Sequence, residues 1–171
     1  MFYTNDVNHA LTLNVITLTK DCGRLYPKYA IAAVGCVLVK NNSILLIKRG
    51  YAPRPGVWAV PGGAIEAGET IDEAAKRELE EETGIVAEPL GIIGVFNAIT
   101  RDELGKVQYH YVIIDVLFDS NTIKGNLRAG GDAIDVAWIP LEEVIKRDDV
   151  TKTTKKLVEK ILNKDLNYVP F

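Results

Sequence analysis

Residues 63–85 read GAIEAGETIDEAAKRELEEETGI, and this stretch decides the fold. Thr70 followed by Glu73 makes a T-x-x-E capping box, which satisfies amides that a first helical turn leaves unpaired. Gly84 stands where a left-handed residue closes a helix, so a helix over 70–83 is expected. On a wheel of about 100° per residue, with Ile71 at zero, Ala74, Ala75 and Leu79 fall at about 300°, 40° and 80°. Glu78 and Glu82 fall at about 340° and 20°, in the middle of this apolar stripe. Glu81 sits at its edge near about 280°, while Glu73 and Glu80 point away.

An acidic run is usually a solvated helix face. That reading suits Glu80, but it fails for Glu78 and Glu82, which share the inward face. Two carboxylates one turn apart on such a face repel each other and lose hydration, so they need cations or protons. Arg77, at about 240° on the wheel, cannot face both. A hard divalent cation with oxygen ligands can, and the i, i+3, i+4 spacing of Glu78, Glu81 and Glu82 lets three carboxylates converge on one metal cluster. Mg²⁺ keeps waters and takes substrate phosphates, so the helix points to phosphate chemistry. Pro61-Gly62-Gly63, just before it, either brings a backbone carbonyl to the metal or is a plain turn.

Outward from the helix, 30–40 and 43–48 are rich in Val and Ile around Asn41-Asn42 and read as a β-hairpin. Residues 50–63 form a Pro- and Gly-rich loop with a short strand at 58–60. Strands are expected at 91–98, 107–118 and 133–139, and helices at 141–146 and 151–162. Strands on both sides of one helix, with two helices at the end, indicate a mixed α/β sandwich and not a regular parallel wind. Residues 1–28 read as an N-terminal extension with a strand at 10–19, and 29–171 as a single domain.

The chain has 171 residues, 47% hydrophobic and 25% charged, which fits one soluble globular domain and excludes a disordered one. A net charge of −3 offers no sequence-independent grip on nucleic acid or an anionic membrane. The apolar run at 29–39 is too short to span a bilayer, and residues 1–10 lack the character of a secretory signal. A cytoplasmic location is expected. Of the two cysteines, Cys36 lies in an apolar run and reads as a buried thiol, and a disulfide to Cys22 would need an oxidising compartment.

Gly63, Glu69, Arg77, Glu78, Leu79, Glu81, Glu82, Gly84 and Ile85 fill every defined position of a pattern that resembles a complete Nudix box. The resemblance implies an α/β/α sandwich of the α+β type, with a mixed β-sheet and a central catalytic loop–helix–loop. It implies a pyrophosphohydrolase that uses Mg²⁺ or Mn²⁺ to cleave the phosphoanhydride of a nucleoside diphosphate derivative. Glu78 and Glu82 would be the principal metal ligands, Glu81 a further ligand or water-holder, and Gly62 a carbonyl donor. Glu69 would pair with Arg77 and orient the ligands. Asp132, six positions before Trp138 as in several relatives, would be an accessory ligand or the general base. Asp115, inside an apolar strand, reads as the holder of a structural hydrogen bond.

Thr100-Arg101-Asp102 is similar to part of a loop in ADP-ribose pyrophosphatases, although Ile99 and Glu103 replace the prolines that flank it there. ADP-ribose or another nucleotide sugar is thus the expected substrate. The alternatives are an oxidised or non-standard nucleoside triphosphate, and a Nudix-fold ligand sensor without turnover. Arg49, Arg54 and Arg101 are candidates for phosphate contacts. Trp58, Phe96 and Tyr109 or Tyr111 could stack on a base, and core packing competes for each. A homodimer is expected, through residues 1–28 or the tail at 168–171.

Overall fold

The apolar run that reads as one arm of a hairpin is divided between two sheets. In the computed structural model, which describes residues 23–164 and 167–171, it forms β1 (Ile31–Val37) and β2 (Val39–Lys40), with fully buried Leu38 at the bend. Only β2 turns back, through Asn41 and Asn42, into β3 (Ser43–Arg49). Both asparagines hold positive φ, 49° and 59°, as a two-residue turn that follows the strand twist demands. The expected hairpin is therefore confined to its turn, because β1 finds its partner elsewhere in an equally apolar strand.

The remaining elements are β4 (Trp58–Ala59), α1 (Ile71–Thr83), β5 (Ile85–Arg101), β6 (Val107–Gly125), β7 (Ala133–Pro140), α2 (Leu141–Lys146), α3 (Lys152–Leu162) and β8 (Val169–Pro170). One sheet has the order β1-β6-β5-β8, with β1 parallel to β6 and the other pairs antiparallel. In the other, β3 pairs with β7 and with β2 and β4. Both long strands exceed their expected lengths, since pairing continues past the apolar runs through Ile85–Gly125 and Val86–Lys124. The tail at Val169 and Pro170 is spent within the chain, on the β5 edge at Ile92 and Gly91.

Strand alternation divides the core. Val34, Cys36, Leu45, Val116 and Phe118 face α1, where Ala74, Ala75 and Leu79 cover them. Val37, Ile44, Leu46 and Ile139 face the other way, under Val144 of α2 and Leu157 and Val158 of α3. Helices thus lie on both faces of mixed sheets, an α/β/α sandwich of the α+β type. The strand expected at 10–19, Cys22 and most of the N-terminal extension lie outside the described residues. Within the extension's described end, the Tyr26 amide donates to the Gln108 carbonyl at 2.8 Å and its hydroxyl to Asp102 at 3.0 Å.

Both ends of α1 are fixed as the sequence indicates. The Glu73 amide donates to the Thr70 hydroxyl at 3.4 Å, and the Thr70 amide to the Glu73 carboxylate at 2.9 Å. Gly84 closes the helix at φ 68°, and a Cβ there would lie 2.5 Å from the Asn126 carbonyl oxygen. Gly84→Ala is therefore expected to lower unfolding stability by at least about 1–2 kcal/mol, the cost of a left-handed conformation for a residue with a Cβ. Urea denaturation checks this, and an unchanged midpoint would mean that the helix end has room to rearrange.

Candidate active site

The wheel geometry is realised. Glu82 is 5% exposed, and the Glu78 side chain 13%. The Glu81 side chain, at the stripe's edge, is 57% exposed. The Gly62 amide donates to Glu82 Oε2 at 2.8 Å, and no cation reaches that carboxylate within ion-pair distance among the described residues. Burial pushes the Glu82 carboxyl up to about 8, against the Gly62 hydrogen bond, and burial likewise raises Glu78.

Two glycines make this placement sterically possible. Gly62 holds φ 154°, and a Cβ on it would run into the Val34 carbonyl. A Cβ on Gly63 would occupy the space of the Glu78 carboxylate. The loop can therefore lie directly against the acidic face of α1.

Arg77 is the fixed cation of the site. Its Nε and Nη2 donate to the two Glu69 oxygens at 2.6 and 2.9 Å. Its Nη1 donates to Glu78 at 2.7 Å and lies 3.6 Å from Glu81, and Nη2 also reaches the Ala64 carbonyl at 3.2 Å. The pair holds the Glu69 carboxyl down to about 2. One guanidinium thus ties the loop to the helix and fixes Glu78, but does not reach Glu82.

The loop before β7 is tied to the end of α1 by Arg128 N donating to Thr83 O at 2.9 Å and Gly130 N to Glu82 O at 3.2 Å. This brings exposed Asp132 to the rim of a cleft of about 720 Å³, near enough to raise Glu82 by charge repulsion. Arg49 and Arg54 line the same cleft, and Arg49 offsets part of the charge on Glu82. Two expected residues are not brought in. Trp58 is 7% exposed, packed into the core under α2 and α3 with Arg147 over its ring, because β4 turns that face inward. Arg101 sits at the far end of β5, where Nη1 donates to the Gly105 carbonyl at 2.9 Å. Extension of β5 past Ala98 carries it away from the cleft.

The cleft also holds residues that no motif marks. Arg24 and the α3 N-terminal residues Thr153 and Lys156 line it. Asp115 is the larger surprise. Its side chain lines the cleft, it is 4% exposed, and it has no hydrogen-bond partner among the described residues, contrary to the structural bond expected of it. Burial pushes it up to about 7, with Lys160 pulling weakly the other way. Its polarity inside an apolar strand was the signal available in the sequence.

The donors of the acidic helix fit a hard divalent cation. Three carboxylates and a glycine carbonyl are oxygen ligands of the type such ions take, and the glycine-lined cradle at Glu78 leaves room beside them. Among the described residues, no three His, Cys, Asp or Glu side chains are already gathered into an ion cage, since Arg77 holds one Glu78 oxygen.

A family model described as NUDIX domain matches residues 30–161. The chain is 40% identical over 123 residues to an ADP-ribose pyrophosphatase of Methanocaldococcus jannaschii, covering 72% of this chain and 69% of that one. It is 31% identical over 119 residues to the nucleoside triphosphatase NudI of an Enterobacter species, covering 64% and 82%. Among solved structures it resembles a MutT NUDIX hydrolase from Burkholderia pseudomallei, with a TM-score of 0.68 and 28% identity over 78% of this chain and 99% of that one.

Asp115 gives a pH signature. Its carboxyl titrates near the ordinary 3.8 when unfolded and about 7 when folded. The native state therefore holds an extra proton between these values, and stability falls as pH rises through that window. Three units correspond to about 4 kcal/mol. Asp115→Asn is expected to exceed the parent in stability by about 2–4 kcal/mol at pH 8 and to match it at pH 4. Urea unfolding at the two pH values measures this, and a pH-independent difference would refute a buried, proton-holding carboxyl.

Proposed function

The chain belongs to the NUDIX family and is a Nudix hydrolase, and on that premise we propose that it is a Mg²⁺- or Mn²⁺-dependent pyrophosphohydrolase of ADP-ribose or another nucleotide sugar. The observation that carries the reaction is Glu82, a buried carboxylate one turn from a second, held by a glycine amide and left without a cation. Glu78, Glu81 and Glu82, with the Gly62 carbonyl, would hold the divalent ion. When bound, that ion supplies Lewis-acid polarisation of phosphate oxygens and lowers the pKa of a coordinated water.

The chain's own groups supply the rest. Arg77, anchored by Glu69, fixes the Glu78 carboxylate, so the ligand geometry is set before substrate arrives. Arg49 and Arg54 grip the diphosphate from the cleft wall, where planar guanidinium groups suit phosphate oxygens. Asp132, at the rim, takes the proton of the attacking water or orients that water. The cleft of about 720 Å³ is large enough for a dinucleotide-sized substrate.

The 40% identity to an ADP-ribose pyrophosphatase favours a nucleotide sugar. The likeness to a nucleoside triphosphatase keeps a modified nucleoside triphosphate as the second reading. A sensor without turnover is disfavoured, because every carboxylate of the box is present. The chain acts as a cytoplasmic homodimer in this reading. Among the described residues no helix is long and apolar enough to cross a membrane, and the Cys36 thiol is free.

Incubation of ADP-ribose with the protein and Mg²⁺, followed by ³¹P NMR, is expected to yield AMP and ribose 5-phosphate, and EDTA to abolish the reaction. Absence of turnover would demote ADP-ribose in favour of modified triphosphates. Glu82→Gln is expected to keep the fold and lower kcat by more than about 100-fold, since even an outer-shell partner of a metal contributes 10- to 100-fold. Undiminished activity of the folded variant would refute the ligand role.

A further inference from the structure

The floor of the cleft beyond the acidic helix is built to an unusual pattern. Register pairs Asp115 of β6 with Gly35 of β1 on one side and with Gly94 of β5 on the other. The next row toward the open end is Ala33, Ile113 and Phe96, and the one after it Ile31, Tyr111 and Ala98. Paired residues share a face of a sheet, so the carboxylate stands in a trough between two glycines, and the Phe96 ring overhangs the Gly94 side. The trough has a steric reason, since a Cβ on Gly35 would collide with Asp115 Oδ1 and lie 3.2 Å from Val60.

A carboxyl that is 96% hidden would ordinarily be paired. Asp115 has no hydrogen bond within the described residues, yet none of their buried side-chain oxygens is both sealed and unpartnered. Its oxygens therefore open onto the cleft, which Asp115 lines together with Phe96, Tyr111 and Ile113. The site offers a hydrogen-bonding edge beside the aromatic side chains of Phe96 and Tyr111, with Lys160 Nζ 5.5 Å from the Phe96 ring centroid. Leaving such a group unpaired is costly, which makes the site selective for a ligand that supplies the missing partner.

From this geometry we infer that Asp115 reads the nucleobase of the substrate, by accepting a hydrogen bond from an exocyclic amine next to a ring nitrogen. The inference rests on the nucleotide-hydrolase reading above and deepens it. Adenine presents an amine donor beside an acceptor nitrogen, matched by a carboxyl that keeps its proton. Guanine presents an amine beside a ring N–H, matched by the ionised form. Unsubstituted purine carries no exocyclic group and no ring N–H on that edge, so it lacks the amine of adenine and the paired donors of guanine.

The test is calorimetric binding of AMP, GMP and purine riboside 5′-monophosphate, in Mg²⁺ buffer, to the parent protein and to Asp115→Leu and Asp115→Asn. The parent is expected to bind AMP or GMP at least about tenfold more tightly than purine riboside 5′-monophosphate, the scale of one or two well-made hydrogen bonds. Asp115→Leu, branched at Cγ like Asp but apolar, is expected to equalise the three. Asp115→Asn is expected to keep a preference for AMP over the purine riboside, since its amide can donate to adenine N1 and accept from the amine. Equal affinities in the parent, no binding of any of the three, or a preference that survives Asp115→Leu would overturn the assignment. A protein that shows the base preference but leaves ADP-ribose intact would refute the reaction reading alone.

Discussion

The structure depends on one electrostatic arrangement, two carboxylates buried one helical turn apart in the apolar face of α1. Burial raises both, and one guanidinium, already held by Glu69, touches only Glu78. Such an arrangement costs folding energy unless something positive enters. Much of the surrounding backbone serves to make it tolerable. Gly62 donates an amide and Gly63 withholds a side chain. The loop before β7 accepts no slack, since its amides cap the carbonyls of Thr83 and Glu82. The scaffold holds charge in readiness for a cation and a polyphosphate.

Asp115 repeats this logic a short distance away. It too is hidden, too basic for an ordinary aspartate, and without a hydrogen-bond partner among the described residues. The two groups lie on different faces of the β1–β6 pair, and β1 serves both: Val34 and Cys36 pack under α1 while Gly35 makes room for Asp115. A single short strand therefore packs against the acidic helix on one face and borders Asp115 on the other.

What could be read in the sequence was what local periodicity and spacing determine. The capping box, the left-handed Gly84 and the inward glutamates all follow from the 3.6-residue repeat, and the structure has them. The hairpin at 30–48 was misread because periodicity shows that a strand is apolar but not which strand it will pair with. That Val37 and Val39 belong to different sheets is decided by β6, whose Leu117 pairs with Val37 from 80 residues further along the chain. Arg101 failed for a related reason: the strand ran on through polar residues, whose pairing is a tertiary fact. Trp58 lost to packing, as a large apolar ring usually does. Asp115 reads in the sequence as a structural residue, because only the fold reveals that its neighbours on both flanks are glycines.

The thiol of Cys36 lies under α1, fully buried, donating a hydrogen bond to the Ala75 carbonyl at 3.2 Å. Burial, and the negative charges of Glu82, Glu78 and Asp115 around it, hold the thiol well above its usual range. The thiolate that alkylating agents and peroxides require is thus suppressed twice, by access and by field. Cys36 is therefore inert as long as α1 stays seated, and its labelling rate is a clock for the unseating of the catalytic helix. A cation that draws the glutamates together should slow that clock, so that a core residue with no part in the chemistry reports, from behind the site, whether the site is filled.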